Sequence, residues 1–188
     1  MRNEMKKGKL FVISGPSGAG KSTVIGELMQ MRDDLAFSCS VTTRAPRSGE
    51  VDGVDYFFID WERYNRMIEQ GELLEHAEFA GNGYGTPKAP VLSLLEEGKQ
   101  VILDIEVQGA AQVAAAMPES VSVFLSPPSM EELERRLRSR GTETEDKILR
   151  RLETARHELT LVDRYQFHII NDDAHRAAAE LNEIIERQ

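Results

Sequence analysis

Gly15-Pro16-Ser17-Gly18-Ala19-Gly20-Lys21-Ser22 follows directly on the apolar run Leu10-Phe11-Val12-Ile13 and leads into Thr23-Val24-Ile25-Gly26-Glu27-Leu28-Met29. The octet fits G-x-x-x-x-G-K-[ST], and its flanks supply the strand and the helix that a phosphate-binding loop requires. Glycines let successive backbone N–H groups curl around phosphate oxygens without Cβ clashes. The helix beginning near Lys21 turns its positive dipole end toward the same anion. Lys21 adds a point charge for β- and γ-phosphates, and the Ser22 hydroxyl can ligate Mg²⁺. A glycine-rich turn matching by accident is the alternative, and the flanking strand and helix count against it.

The remaining composition narrows the class. A chain of 188 residues suits one domain with inserted subdomains, and 40% hydrophobic residues are enough for a buried core. No apolar run approaches the length of a membrane span. The charged start, Met1 to Lys9, leads straight into a short strand without a signal-peptide apolar region. Cys39 is the single cysteine, so neither an internal disulfide nor a cysteine metal cluster is available. A reduced, cytoplasmic setting is expected. The formal charge of −9 has the wrong sign for a general nucleic-acid binder. An anionic ligand must therefore be held by a local basic cluster, and there are two.

The strand at 10–14, the phosphate loop and a helix over about 22–31 make the first βα unit. Phe37 to Arg44 is rich in small and β-branched residues and predicts a strand. A turn-rich loop over 45–50 follows, then a strand over Val54–Ile59. Asp60 is placed to cap a helix with Trp61, Tyr64 and Ile68 on one face. After Glu72–Phe79 and the glycine-rich Gly81–Gly85, a helix is predicted from about Lys88 to Glu97, stopping at Gly98. Val101 to Glu106 is a continuous apolar run ending in acid, as a buried parallel strand would be. Val121–Leu125 and Phe167–Ile170 read alike. Ser129 and Glu132 spell a capping box for a helix to about Ser139. A second helix carries Ile148, Leu152, Ala155 and Leu159, and a last one from about Ala174 carries Leu181, Ile184 and Ile185. The alternation implies an α/β fold with a parallel core sheet and flanking helices. The β-rich stretch over about 37–86 reads as an insertion.

Several groups have a chemistry of their own. Arg44 and Arg47 lie three apart around Pro46, with Tyr56 nearby. Two guanidinium forks and a phenol suit a phosphate dianion, although ordinary surface arginines at a turn would look the same. Arg135, Arg136, Arg138 and Arg140, with Arg150 and Arg151, make the second basic cluster, much of which a solvated helix face would explain. Asp104 ends its apolar run as a Walker-B acid does. Asp60 fits the same crude pattern, but the helix directly after it favours a cap. The histidines at 76, 157, 168 and 175 have no ligand spacing and are read as structural.

Taken together, Gly15 to Thr23, Thr42-Thr43-Arg44-Ala45-Pro46-Arg47-Ser48-Gly49-Glu50, Asp55-Tyr56-Phe57 and Arg140-Gly141-Thr142-Glu143-Thr144 closely resemble the guanylate kinase family. The resemblance runs from the first strand to Asn171-Asp172-Asp173. The second block is the most diagnostic, because a bare phosphate loop is shared by many unrelated NTPases. It implies a nucleoside monophosphate kinase-like fold with a core at about 8–36, 87–128 and 160–188. A GMP-binding insertion at about 37–86 and a helical lid at about 129–159 would complete it. ATP and GMP or dGMP would be the substrates, with Mg²⁺ as cofactor.

By the same resemblance, Arg44, Arg47, Tyr56 and Tyr84 hold the GMP phosphate, with Glu50 in the same acceptor site. Guanine offers N1–H and N2–H₂ together on its Watson–Crick edge, and one carboxylate can accept both, which adenine does not permit. Glu75 matches that carboxylate, with Ser40 and Thr86 supplying hydroxyls; by spacing alone Glu72 and Glu78 compete. Thr86 stands where some relatives carry serine. Asp104 and Glu106 complete the GMP-binding set; Glu106 falls where relatives can have aspartate, near the GMP ribose or base. Arg136, Arg140 and Arg151 match lid arginines that spread charge from the transferring group. Asn171 matches a position near the adenine, and a plain loop or cap residue is the competing reading. The ATP side takes Gly15, Pro16, Ser17, Gly18, Ala19, Gly20, Lys21, Ser22, Thr23 and Asn171. Ser22 would ligate Mg²⁺, with Asp104 acting through water.

No general base is evident and none is required, because the acceptor is itself a phosphate with a second pKa near 6. Positioning and charge neutralisation by Lys21, Mg²⁺ and the arginines suffice, and lid closure would keep water from intercepting the phosphoryl group. Two rivals stand beside this reading. A non-catalytic module of the same family would bind phosphopeptides, typically with a degraded phosphate loop inside a longer scaffold; here Lys21 and Ser22 are intact and the chain ends with the domain. A kinase for another phosphorylated metabolite, such as a ribose bisphosphate, would not need Glu75 and Ser40. No nucleic acid, membrane or obligate protein partner is expected.

Overall fold

Leu10–Ser14 forms β1, buried along its whole length, as a strand covered on both faces must be. The computed structural model describes residues 7–79, 81–139 and 144–188. The fold is α/β, with a parallel core sheet and flanking helices. The residues gather into two compact units, one holding 34–103 and 108–120 with the described residues up to Leu10. The other holds 11–33, 104–107 and 121–188. Among the described residues, no helix is long and apolar enough to cross a membrane.

In the second unit, β1 pairs in parallel with β8 (Val121–Ser126), from Phe11↔Val121 to Ser14↔Phe124. On its other side β8 pairs in parallel with β9 (Phe167–Ile170). Helix α1 (Lys21–Met31) packs on α7 (Ala174–Glu186). Val24 and Leu28 are buried on one of these helices, and Ala177, Ala178 and Leu181 on the other. Small alanines let the backbones approach, and Asp173 caps α7 by accepting from the Arg176 N–H. Helices α5 (Met130–Ser139) and α6 (Glu145–Leu159) share a separate core of Leu133, Leu137, Ile148, Leu152 and Ala155. Half of the expected capping box is made, the Ser129 hydroxyl accepting from the Glu132 N–H at 3.1 Å. The Glu132 carboxylate does not reach back; Arg135 and Arg136 hold it at 2.7 Å each.

The first unit holds a second sheet of four strands in the order β4-β3-β6-β5. These are β3 (Val41–Thr42), β4 (Phe57–Phe58), β5 (Leu73–Phe79) and β6 (Asn82–Pro87). Beneath it, α2 (Trp61–Glu69) buries Tyr64 and Met67 with Val41. Asp60 caps α2, its carboxylate accepting from the Arg63 N–H at 2.7 Å. Strand β2 (Leu35–Phe37) runs parallel to β7 (Gln100–Asp104). Helix α3 (Lys88–Glu96) ends before Gly98, whose φ is +81°. Helix α4 spans Val107–Ala116.

Two local expectations change. Residues 37–44 are not one strand: the chain leaves β2 at Phe37 and re-enters as β3 at Val41, in a different sheet. The strand over Val54–Ile59 shrinks to Phe57–Phe58, because the N–H groups of Val54 and Asp55 both turn back to the Val51 carbonyl. The glycine-rich stretch after Gly81, for which no element is specified above, forms β6. A Cβ at Gly83 would stand 2.6 Å from the Tyr64 ring, so close packing by an aromatic explains the glycine.

Candidate functional site

The phosphate loop lies between β1 and α1. Gly20, the residue before α1, has φ +91° and offers no side-chain cap, and the first turn of α1 carries no acid. The helix N–H groups there are left facing outward, the arrangement that accepts an anion. The Lys21 ammonium donates to the Gly15 carbonyl at 2.7 Å and lies 3.9 Å from the Asp104 carboxylate. It is thus held beside the loop instead of swinging in solvent. Ser22 and Thr23 are exposed at the start of α1.

The loop is braced from three directions. The buried Asn171 side chain donates to the Ala19 carbonyl at 2.7 Å. The Arg136 guanidinium reaches that carbonyl at 3.2 Å and the Asn171 carbonyl at 2.9 Å, while its Nε is held by Glu132. Arg151 donates to the Ser17 hydroxyl. Two of the three predicted lid arginines therefore touch the loop or its brace; Arg140 lies outside the described residues. Arg138 faces out, bonded to Glu134 and Glu145, as a solvated charge run would be.

Acids gather beneath Lys21. Burial pushes the half-buried Asp104 carboxyl above its usual range, with Lys21 opposing the rise and Glu106 adding to it. Glu158, near the end of α6, is pushed up to about 7, first by burial and then by the charge of Glu106, against the pull of Lys21. Nothing in the sequence marked Glu158: it neighbours Leu159 on an otherwise ordinary amphipathic helix. Ser14 donates to the Ile105 carbonyl at 2.8 Å and fixes the chain between Asp104 and Glu106.

The other predicted residues assemble in the first unit. Arg44 makes a bidentate pair with Glu50 at 2.8 and 2.9 Å, and the Arg47 N–H donates to the same carboxylate at 2.7 Å. These bonds hold Glu50 below the usual carboxylate range, Arg44 contributing most. The Arg44 guanidinium carbon lies 5.5 Å from the Tyr56 ring centre and 5.8 Å from that of Phe58. Tyr56 meets Tyr84 edge-on at 6.1 Å. Thr42 and Thr43, which carried no prediction, set this cluster. The Thr42 hydroxyl donates to the Gly83 carbonyl at 3.0 Å and accepts from the Arg44 N–H; the Thr43 hydroxyl accepts from the Gly83 N–H at 2.8 Å.

Glu75 sits on β5 opposite Thr86 on β6. It is buried to 6% exposure, whereas Glu72 is half-buried and paired with Arg63, and Glu78 is exposed. Of the three acids that spacing left open, Glu75 is the buried one. The Thr86 hydroxyl donates to Glu75 Oε1 at 2.7 Å. Burial raises the Glu75 carboxyl above its usual range, and the bonds from Thr86 offset part of the rise. Ser40 is half-buried in the link between β2 and β3, and its carbonyl accepts from the Phe57 N–H.

Comparison with known proteins gives one answer. The family described as guanylate kinase matches residues 7–188. The guanylate kinase of Clostridioides difficile (strain 630) is 50% identical over 181 residues, covering 96% of this chain and 88% of its own. That of Thermobifida fusca (strain YX) is 52% identical over 177 residues, covering 94% and 90%. Among solved structures, guanylate kinase from Anaplasma phagocytophilum superposes with a TM-score of 0.79 at 36% identity, over 97% of this chain and 86% of that one.

Proposed function

The chain belongs to the guanylate kinase family, and from that premise we propose that it transfers the γ-phosphoryl group of ATP to GMP or dGMP, giving ADP and GDP or dGDP. The observation that carries the choice of acceptor is Glu75. A carboxylate buried against a neutral hydroxyl costs stability, and a guanine edge, with two N–H donors side by side, supplies the bonds it lacks. Thr86 holds one oxygen in place for that contact, and Ser40 adds a hydroxyl.

Arg44, Arg47, Tyr56 and Tyr84 take the GMP phosphate in this reading, Glu50 holding the Arg44 fork in plane until the phosphate arrives. Residues 15–23 cradle the phosphates of ATP, and Lys21 follows the γ-phosphoryl group as charge moves onto the leaving oxygen. Asn171 acts on ATP through the Ala19 carbonyl. Arg136 and Arg151, with Arg140 beyond the described residues, bring positive charge from the lid at 129–159. The insertion at 37–86 carries the acceptor.

The site suits a hard divalent cation: a hydroxyl at Ser22 and a half-buried carboxylate at Asp104 are oxygen donors, few in number, as Mg²⁺ sites completed by phosphates and water are. Ser22, with Asp104 through water, would hold Mg²⁺ there, and the ion would neutralise phosphate charge. Glu106 stays near the GMP ribose or base. The setting is read as cytoplasmic, with no nucleic acid, membrane or obligate protein partner. Glu75→Gln tests the acceptor reading: the KM for GMP should rise far more than that for ATP, and equal rises would remove Glu75 from the base pocket.

A further inference from the structure

Two residues of α4 bear on Glu75 and its strand. Gly109 is buried inside the helix, where glycine is a poorer helix former than alanine. It is not one of the glycines with positive φ, so its backbone does not call for glycine. The reason is lateral. A Cβ on Gly109 would stand 2.6 Å from Glu75 Oε2, 3.1 Å from its Cδ and 3.4 Å from its Cγ. All three of the nearest atoms belong to one side chain.

One turn further along, Gln112 holds the next residue of β5. Its Oε1 accepts from the His76 N–H at 3.0 Å, and its Nε2 donates to the His76 carbonyl at 2.8 Å. β5 is an edge strand of its sheet, and this amide closes an open ladder position as a neighbouring strand would. Three positions apart, Gly109 and Gln112 share a helix face.

The geometry points to Gly109 and Gln112 as a positioning pair for guanine recognition: the glycine leaves the space that the Glu75 carboxylate occupies, and the glutamine fixes the strand that carries it. This rests on the reading of Glu75 as the guanine-binding carboxylate. A methyl at Gly109 meets the far end of a flexible side chain, so the fold absorbs it by turning the carboxylate. A turned carboxylate loses either Thr86 or the paired N–H donors of guanine. The penalty falls on recognition.

The test is a double-mutant cycle on the full chain, reading GMP and ATP dissociation constants by calorimetry without metal. Glu75→Ala should weaken GMP binding and leave ATP unchanged. Gly109→Ala should weaken GMP about tenfold or more, the scale of a lost bidentate base contact, with ATP within about twofold. In the Glu75→Ala background, Gly109→Ala should change GMP binding by less than about twofold. A folded Gly109→Ala protein that binds GMP normally, or the same loss with and without Glu75, would overturn the proposal while leaving Glu75 its role. Normal GMP binding by Glu75→Ala would instead bring down the base-pocket reading and the proposal with it. Gln112→Met carries the same cycle through the strand anchor and decides the matter if Gly109→Ala does not fold. It should lose about twofold to tenfold in GMP affinity and speed amide exchange at His76; no change in either contradicts the pairing.

Discussion

Lys21 is marked both by its motif and by its contacts. The motif named it, and the bonds to Gly15 and Asp104 fix where its charge sits. Lys21→Ala should abolish turnover with an unchanged circular dichroism spectrum; near-normal kcat in the folded variant would sink the phosphate-loop assignment. Glu158 is the opposite case. Its chemistry comes from burial and from Glu106, both set by the tertiary fold, so no local pattern could announce it. With its carboxyl raised to about 7, the folded protein binds that proton more tightly than the unfolded chain does. Its stabilising contribution is therefore full below the ordinary glutamate range and is lost as pH rises toward and through about 7. Glu158→Gln should raise the melting temperature of the ligand-free protein, by an amount that grows from about pH 4.5 to 7 and levels off above. A gain that is flat across that range would contradict the shifted carboxyl.

Among the elements, legibility followed periodicity. β1, α1, α6 and α7 could be read because apolar spacing and a clear start or stop coincide in each. Helix α4 could not, since Val107-Gln108-Gly109-Ala110-Ala111 has small residues on every face and a glycine inside, and the residues that position Glu75 were lost with it. The short β3 and β4 were overdrawn because β-branched and aromatic residues continue into turns that only the Val51 carbonyl and the Thr42–Gly83 bonds define. Asp60 was the useful ambiguity. Its carboxylate on the Arg63 N–H makes it a helix cap, and Asp104 carries the acid beside Lys21. Asp60→Ala should therefore cost about 1 kcal/mol in urea unfolding with kcat unchanged, while Asp104→Asn should cut kcat without comparable destabilisation. Equal kinetic losses from the two would contradict this division.

For the whole molecule, most predicted residues for each substrate fall within one compact unit: Arg44, Tyr56, Glu75, Tyr84 and Thr86 in one, the phosphate loop with Arg136, Arg151 and Asn171 in the other; Asp104 and Glu106, predicted on the GMP side, belong to the unit of the phosphate loop. The sequence conveyed that separation through order along the chain and the family resemblance, not through any physical signal of unit boundaries. Ligand binding protects what it touches, so GMP alone should slow amide exchange on β3, β5 and β6, and ATP alone on the 15–23 loop and α1. Protection of the same amides by either nucleotide would contradict separate sites.

ATP-dependent phosphorylation of a guanine nucleotide is read out by a coupled ADP-release assay. Purified protein would receive ATP and Mg²⁺ with GMP, dGMP, AMP, CMP or UMP offered separately. Strong turnover with GMP or dGMP, and little with the other three, is the expected result. Silence with every nucleotide, from protein shown to be folded, or turnover indifferent to the base, would contradict it.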